Sequence, residues 1–217
     1  MFRDYYAKYL GIDKGVLIDD SMVYISDMRN VPLNKRYIYR MIITDFEGNR
    51  VLSISPKISD SMIYDICHRI KDKSIDDILT KQLLYNTGLR ISKMYRMITD
   101  NPKTIIEGTD SLDRKITCEY LNDYKKFIIK DNDKILCYCK VSNIDFNYGN
   151  IVVWTDELYR RRGYARELLL KVITMCKSEG IEPLYLVDSQ NTASIELAKS
   201  IGFKIIQTEI VACEVLR

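Results

Sequence analysis

Three consecutive arginines stand directly before a glycine in a chain whose net charge is only +3. These residues are Arg160, Arg161, Arg162 and Gly163. The segment that follows, RELLLKVITMCKSEG, has apolar residues at helical spacing, so the arginines fall where a helix begins. A helix N-terminus already has partial positive charge and unpaired N–H groups, so added cations are unfavourable there unless an anion is bound. The amides of Arg161 to Ala165, together with the guanidinium groups, suit a diphosphate.

Gly163 could serve such a site in either of two ways, and the sequence does not decide between them. It lets the backbone come close to a bulky anion, or it takes a φ angle that other residues resist. The sequence contains neither G-x-x-x-x-G-K-[ST] nor G-x-G-x-x-G, which are the other common phosphate motifs. The alternative for any basic triplet is a solvated charge cluster.

The elements around the triplet follow from apolar patterning. KKFIIKDNDKILCYCKVSNI predicts a hairpin, IVVWT a short strand, PLYLV a buried strand and KIIQTEIVACEVLR a last strand or strand pair. NTASIELAKSIGF predicts a helix with Asn191 as its N-cap and Gly202 as its terminal glycine. A turn is expected over residues 147–150. This order predicts an α/β fold (an α+β mixed sheet), with the sheet flanked by helices.

The first hundred residues predict a smaller α+β domain. GVLIDDSMVYIS and YIYRMIITDFEGNRVLSIS each have two apolar runs around a polar turn and predict hairpins. Helical spacing begins at Ser59, SIDD at Ser74 resembles a capping box, and residues 89–99 predict a strand. Asp100-Asn101-Pro102 breaks the pattern, so we expect an accessory domain over 1–103 and a second domain over 104–217.

Composition excludes several classes of protein. With 33 basic and 30 acidic side chains there is no global field to hold the chain on nucleic acid or anionic lipid. Six cysteines without a C-x-x-C pair, and a single histidine, argue against a zinc site and favour reduced thiols. No apolar run is long enough to span a bilayer, and the first residues do not form a signal peptide. We therefore expect a cytoplasmic protein with no metal, no membrane partner and no nucleic-acid partner.

Two segments carry a family resemblance. RRRGYA, or Arg160-x-x-Gly163-x-Ala165, resembles the [RQ]-x-x-G-x-[GA] acetyl-CoA signature of the GNAT superfamily of N-acetyltransferases. VDSQNTASIELAKSIGF is similar to the companion motif of that family, in which a strand leads through an Asn into a helix ending in Gly-Phe. Its form N-x-x-S-x-x-L-A-x-x-x-G-F is most similar to the branch that includes zwittermicin-resistance-type acetyltransferases. The resemblance covers roughly residues 104–217.

The resemblance implies a set of acetyl-CoA-binding residues. Val153 and Thr155 would lend backbone groups to the pantetheine arm, and Asn191 would hydrogen-bond the same arm. The pyrophosphate would be held by the amides of Arg161, Arg162, Gly163, Tyr164 and Ala165, and the ribose phosphate by one or more of Arg160, Arg161 and Arg162.

The resemblance defines the catalytic residues less completely than the acetyl-CoA-binding residues. Many relatives carry a tyrosine acid after the leucine of the second helix, where this chain has Ala198, and the strand before the signature lacks the glutamate base of some relatives. Asp188, at the end of PLYLV, is the candidate base, with helix capping as its alternative role. Asp156 and Glu157 are expected to be solvated loop charges.

Three further side chains are assigned structural roles, and a fourth is left with two possible roles. The thiols of Cys137 and Cys139 are expected in the core, and His68 on a helix without a partner. Trp154 could line the acceptor site or pack.

The leading hypothesis is an acetyl-CoA-dependent N-acetyltransferase that transfers acetyl to an amine of a small molecule or peptide by direct attack. The first hundred residues would wall the acceptor cleft or mediate homodimer formation. The first alternative is a non-catalytic acyl-CoA-binding or regulatory module, favoured by Ala198 and the missing glutamate. The second is a nucleic-acid-binding module that uses the arginines, against which the small net charge argues.

Overall fold

The computed structural model describes residues 2–13, 15–33, 36–100, 116–121 and 124–216. The chain divides into two compact units, one of Met1–Tyr95 with Gln207–Arg217 and the other of Arg96–Ile206. The domain boundary predicted near residue 103 lies among residues 101–115, outside the described residues. The division into 1–103 and 104–217 therefore stays a prediction.

The elements have the following bounds. The helices are α1 (Phe2–Leu10), α2 (Asp60–Ile70), α3 (Ile75–Thr80), α4 (Tyr164–Ser178) and α5 (Thr192–Ile201). The strands are β1 (Val16–Ile18), β2 (Ser21–Ile25), β3 (Tyr37–Phe46), β4 (Asn49–Ile54), β5 (Arg90–Ile98), β6 (Ile116–Leu121), β7 (Tyr124–Asp131), β8 (Lys134–Asp145), β9 (Tyr148–Thr155), β10 (Glu182–Asp188) and β11 (Lys204–Val215). Short 3-10 turns lie at Asp27–Asn30, Tyr85–Thr87 and Glu157–Tyr159.

The first unit contains a mixed sheet with helices on both faces. Its strands lie in the order β1, β2, β4, β3, β11, and only the pairing of β2 with β4 is parallel. Helices α2 and α3 pack on the face that carries Met41, Ile43 and Leu52, where the apolar core lies. On the other face, Ser53 Oγ donates to the carbonyl oxygen of Leu10 at 2.6 Å, so α1 packs there.

The predicted elements of the first hundred residues are confirmed, with one omission. Both hairpins are present, and Ser74 forms the predicted cap, because its hydroxyl accepts from the amide of Asp77 and donates to that residue's carboxylate. Helix α1 was not predicted. Its signal was the spacing of Tyr5, Tyr6 and Tyr9, which are all buried on one side of the helix.

The second unit also contains a mixed sheet. Its strands lie in the order β10, β9, β8, β7, β6, with β9 and β10 parallel and the other pairs antiparallel. Helix α4 packs against β8 and β9 and buries Leu168, Leu169 and Val172, while α5 contacts α4 and β10. The predicted α/β fold class, with a mixed sheet flanked by helices, is confirmed.

The turn predicted over residues 147–150 was wrong. The chain reverses at Phe146 and Asn147, which have φ angles of 49° and 67°, and Tyr148 already belongs to β9. A two-residue turn with both residues at positive φ matches the twist of the strands that it joins. Strand β9 is therefore longer than the predicted IVVWT segment, because Tyr148 and Gly149 pair with the start of β10.

Candidate active site at the start of α4

The connection from β9 to α4 is held by Asp156. The amide of Asp156 donates to the carbonyl of Leu136 at 2.9 Å, and its carboxylate accepts from the amide of Leu158 at 3.0 Å. The same carboxylate lies 3.1 Å from Lys134 Nζ, and this contact lowers the pKa of Asp156 below its usual value. Asp156 therefore stabilises the connection and is unsuited to accept a proton.

The three arginines differ in their surroundings, although all are exposed. Arg160 lies 3.3 Å from a carboxylate oxygen of Glu157, and the guanidinium of Arg162 lies 5.0 Å from the centre of the Tyr159 ring. Among the described residues, Arg161 has no ion-pair partner. Within the described ranges, the Arg161 guanidinium is therefore the one in the triplet that has neither an acidic nor an aromatic partner.

Gly163 is the N-cap of α4 and has a left-handed conformation, with φ 81° and ψ −9°. A Cβ atom built on Gly163 would meet nothing within 4 Å. Of the two roles that the sequence left open, the structure therefore shows the conformational one. Arg161 also has a left-handed φ, of 62°, so two of three successive residues turn the backbone before the helix.

Backbone amides at the start of α4 include three that have no acceptor among the described residues. Its first helical bond runs from the amide of Glu167 to the carbonyl of Gly163, at 3.1 Å. Earlier amides have no intrahelical acceptor, and the described residues supply none for Arg162, Gly163 or Ala165. Tyr164 begins the helix with its side chain buried. The predicted amides and guanidinium groups are thus together at one helix N-terminus.

Strand β9 has an edge that its neighbour leaves unpaired. The parallel pairing of β9 with β10 ends at Asn150 and Leu184, although β9 continues to Thr155 and β10 to Asp188. On its other side, β9 pairs with β8 as far as Thr155. The second half of β9 is therefore hydrogen-bonded on one side only within the described sheet.

The direction of the backbone groups on this edge follows from the register. The amide of Asp156 donates to Leu136 of β8, and the register between the strands is regular from there back to Ile151. Because successive residues of a strand point their N–H and C=O groups to opposite sides, Val153 and Thr155 point theirs away from β8. Val153 and Thr155 thus present backbone donors and acceptors at the unpaired edge, where the resemblance placed them.

Asn191 and Asp188 lie together at the end of β10. Asn191 is the N-cap of α5, as predicted, and its side-chain oxygen accepts from the amide of Ser194 at 3.1 Å. Asp188 does not cap α5. Its Oδ1 instead accepts from the amide of Gln190 at 2.9 Å, and its carbonyl accepts from the amide of Asn191 at 2.9 Å. One carboxylate oxygen of Asp188 thus holds the turn that precedes the helix.

The two thiols have the structural role that the sequence predicted, whereas the prediction that His68 has no partner was wrong. Cys137 and Cys139 are buried in the sheet, and burial raises the pKa of both thiols, so neither is a ready nucleophile. Ala198 is fully buried, and its methyl side chain has no proton to give to a leaving thiolate. His68 is exposed, and its Nδ1 lies 3.5 Å from a carboxylate oxygen of Asp19, a partner that the sequence did not indicate.

Sequence reasoning missed an aromatic pair next to this edge. The rings of Tyr138 and Trp154 stack at 5.5 Å between centres with 21° between planes, and Lys126 Nζ lies 4.6 Å from the Tyr138 ring centre. The available signal was the hairpin register, which pairs Tyr138 directly with Trp154. No register was predicted for these two strands from the sequence, so this pairing was not predicted.

Comparisons with known proteins agree with this geometry. The profile of the Acetyltransferase (GNAT) family matches residues 92–203, which is just over half of the 217-residue chain. A GCN5-related N-acetyltransferase-like protein from Streptococcus suis 89/1591 is similar in structure, with a TM-score of 0.52 and 14% identity over 89% of this chain and 87% of that one. A functionally unknown conserved protein from Staphylococcus epidermidis ATCC 12228 has a TM-score of 0.50 and 12% identity over 66% of this chain and 69% of that one. No curated protein is similar enough to match.

Strand β9, the left-handed turn and the start of α4 all lie within residues 92–203, the part of the chain that the acetyltransferase profile matches. The chain belongs to the Acetyltransferase (GNAT) family. The family resemblance seen in the sequence is thus confirmed, and it supports acyl transfer in general. None of the helices in the described part of the chain has the length and apolar character needed to cross a membrane.

Proposed function

We propose that this protein is an acetyl-CoA-dependent N-acetyltransferase that acts on an amine. The observation that carries the proposal is the start of α4, where the backbone is left-handed at Arg161 and Gly163 and the amides of Arg162, Gly163 and Ala165 have no acceptor among the described residues. Donors of this kind at a helix N-terminus favour a phosphate group. They directly follow a strand whose edge, within the described sheet, is unpaired from Ile151 onward, and a strand edge of this kind can hydrogen-bond an extended chain.

The residues fit acetyl-CoA in three places. The amides of Arg161, Arg162, Gly163, Tyr164 and Ala165 would bind the diphosphate, with Arg160, Arg161 and Arg162 available to the ribose phosphate. Val153 and Thr155 would hydrogen-bond the pantetheine arm through their backbone groups. Asn191 would donate to the same arm from Nδ2, because its Oδ1 is already used by the helix cap.

The chemistry requires a route for the proton of the amine. Bound acetyl-CoA would supply a thioester, which the amine attacks directly. Asp188 is the proposed proton acceptor, because its second carboxylate oxygen is not used by the turn to Gln190. The backbone amides of Val153 or Thr155 would stabilise the negative charge that develops on the acyl oxygen.

Asp188→Asn tests the proposed base. An amide oxygen still accepts from Gln190, so we expect the fold and the affinity for CoA to be kept. Loss of the proton acceptor should lower kcat by roughly 100-fold or more, measured as thiol release at saturating acetyl-CoA. An unchanged kcat would remove Asp188 from the reaction.

Gly163→Glu tests the anion site itself. The added carboxylate would stand at the N-terminus of α4 in open space, where it should compete with the diphosphate. We expect CoA and acetyl-CoA to raise the melting temperature of the wild type and to have no such effect on the variant. A panel of amines with acetyl-CoA, followed by thiol release, then tests transfer.

Gly180→Glu is the matched control. Gly180 lies just beyond the other end of α4, has a φ of 70°, and also has open space around its added Cβ. The two variants therefore share the backbone strain and the change in net charge. If Gly163→Glu keeps the CoA shift, or Gly180→Glu loses it equally, the diphosphate assignment is wrong. Binding without thiol release for any amine would instead identify a CoA-binding module.

Two finer proposals rest on the sequence. The branch of zwittermicin-resistance-type acetyltransferases is proposed from the pattern N-x-x-S-x-x-L-A-x-x-x-G-F alone. A cytoplasmic location is proposed from the reduced thiols, and cell fractionation that places the protein elsewhere would overturn it. An acetylation profile that differs from the profiles of characterised zwittermicin-resistance-type acetyltransferases would argue against the assignment to that branch.

A further inference from the structure

Three side chains form a row across the second unit's sheet. The ammonium group of Lys126, on β7, lies over the ring of Tyr138 on β8. Trp154, on β9, stacks on the same ring. Trp154 is 41% exposed, so one flank of the indole faces solvent. Because Tyr138 stacks on one flank of the indole and the other flank faces solvent, the indole can stack on a second planar group.

The row lies on the face of the sheet opposite α4. Thr155 Oγ1 is 3.2 Å from Cys137 Sγ, and the thiols of Cys137 and Cys139 lie beneath α4. Because side chains alternate along a strand, Tyr138 and Trp154 point to the other face. A group bound at the N-terminus of α4 and an acceptor that approaches from the opposite face would therefore not compete for space.

Trp154 is also next to the unpaired edge of β9. Its two chain neighbours, Val153 and Thr155, present their backbone groups at that edge. Adjacent Cα atoms are about 3.8 Å apart, so the indole lies within one residue of the proposed site of acyl transfer. An acceptor whose amine reaches this edge from the face opposite α4 would pass the exposed indole.

We propose that Trp154, supported by Tyr138, is the platform for the acceptor, and that the acceptor is an arylalkylamine, an amine carried on a short chain from a planar aromatic ring. This inference rests on the proposed acetyltransferase function. The ring stacks on the exposed flank of the indole, and the amine lies beside Val153 and Thr155. The acetyl group then passes from the thioester sulfur to the amine nitrogen, the amine loses one proton, and CoA leaves as the thiol.

Fluorescence provides a direct test, because Trp154 is the only tryptophan in the chain. With CoA present, 2-phenylethylamine should change the tryptophan emission saturably. The probe 2-cyclohexylethylamine has the same chain and a ring of similar size that is not planar, and it should bind more weakly. Stacking of this kind favours the planar probe by roughly 2- to 10-fold. Equal affinity for the two probes, or no saturable change with either, overturns the platform.

Turnover gives a second readout. For acetyl transfer to 2-phenylethylamine, Trp154→Leu should raise the KM of the amine and abolish the preference over the cyclohexyl probe, whereas Trp154→Phe should restore part of it. The KM of acetyl-CoA should not change. Tyr64→Leu, at a 59% exposed tyrosine on α2, is the control for loss of an exposed aromatic side chain. An equal effect of Trp154→Leu on both probes, or turnover of neither probe by the wild type, contradicts the proposal.

The two proposals fail in different ways. Loss of CoA-induced stabilisation in the wild type would end the acetyltransferase proposal, whatever the amines do. If CoA binds and Gly163→Glu abolishes that binding, but the two probes do not differ, only the arylalkylamine platform is lost.

Discussion

Arg161 differs from the arginines beside it in both backbone and charge environment. It has a left-handed φ of 62°, and no described acidic side chain pairs with it, whereas Arg160 contacts Glu157 and Arg162 lies over Tyr159. A non-glycine residue adopts this conformation at some cost, which is typical of functional sites. We infer that Arg161 is the arginine that contacts the ribose phosphate.

A comparison of CoA with dephospho-CoA tests this assignment. Arg161→Gln should reduce the preference for CoA by about two- to fivefold, since an exposed ion pair contributes up to about 1 kcal/mol. Glutamine retains a Cβ, so the cost of the left-handed backbone is the same in the variant. The dissociation constants can be measured by calorimetry at low salt.

Arg160→Gln is the control for Arg161→Gln. Arg160 is already paired with Glu157, so its replacement should weaken both ligands little and equally. A larger loss of the CoA preference in Arg160→Gln than in Arg161→Gln would transfer the phosphate contact to Arg160.

The first turn of helix α5 is capped by the side chain of Asn191, which we also propose as a contact of the ligand. Asn191 Oδ1 accepts from the amide of Ser194, and the helix ends at Gly202 with a left-handed φ of 107°. The cap uses the oxygen of the side chain, and the proposed pantetheine contact uses its nitrogen. Substitutions can therefore separate the two roles.

Asn191→Asp should keep the cap and lose the ligand contact. A carboxylate caps a helix as well as an amide does, so the free energy of unfolding should stay close to that of the wild type. Asn191→Ala should lose about 1 kcal/mol of stability. Both variants should bind CoA more weakly, which can be measured by calorimetry beside urea denaturation.

The result for Asn191→Asp decides between the roles. If it binds CoA as the wild type does, while Asn191→Ala is less stable, then Asn191 serves only as a helix cap.

At the scale of the whole molecule, local signals predicted most elements. The caps at Ser74 and Asn191 and the terminal glycine Gly202 were predicted correctly, because each depends on side-chain and backbone chemistry within one turn of helix. The residue types before α4 likewise predicted a helix N-terminus with free donors.

What sequence could not predict depends on contacts between distant segments. The unpaired edge of β9 exists because pairing with β10 ends at Leu184, which no local pattern reveals. The turn at Phe146 and Asn147 was missed because Tyr148 and Gly149 are held in the strand by β10. The turn determines which side chain lies opposite Tyr138. The end of the pairing with β10 determines which backbone groups of β9 face the unpaired edge.

The return of Gln207–Arg217 to the first unit affects how the protein is made. Strand β3 pairs with β11 through residues 209–215, so its partner is synthesised only after all of residues 96–206. A nascent chain therefore begins the first unit early and completes it last. Until β11 is made, the edge of β3 that it will cover has unpaired backbone groups. An unpaired edge of a hydrophobic sheet can pair with another chain, so we expect it to favour aggregation on the ribosome.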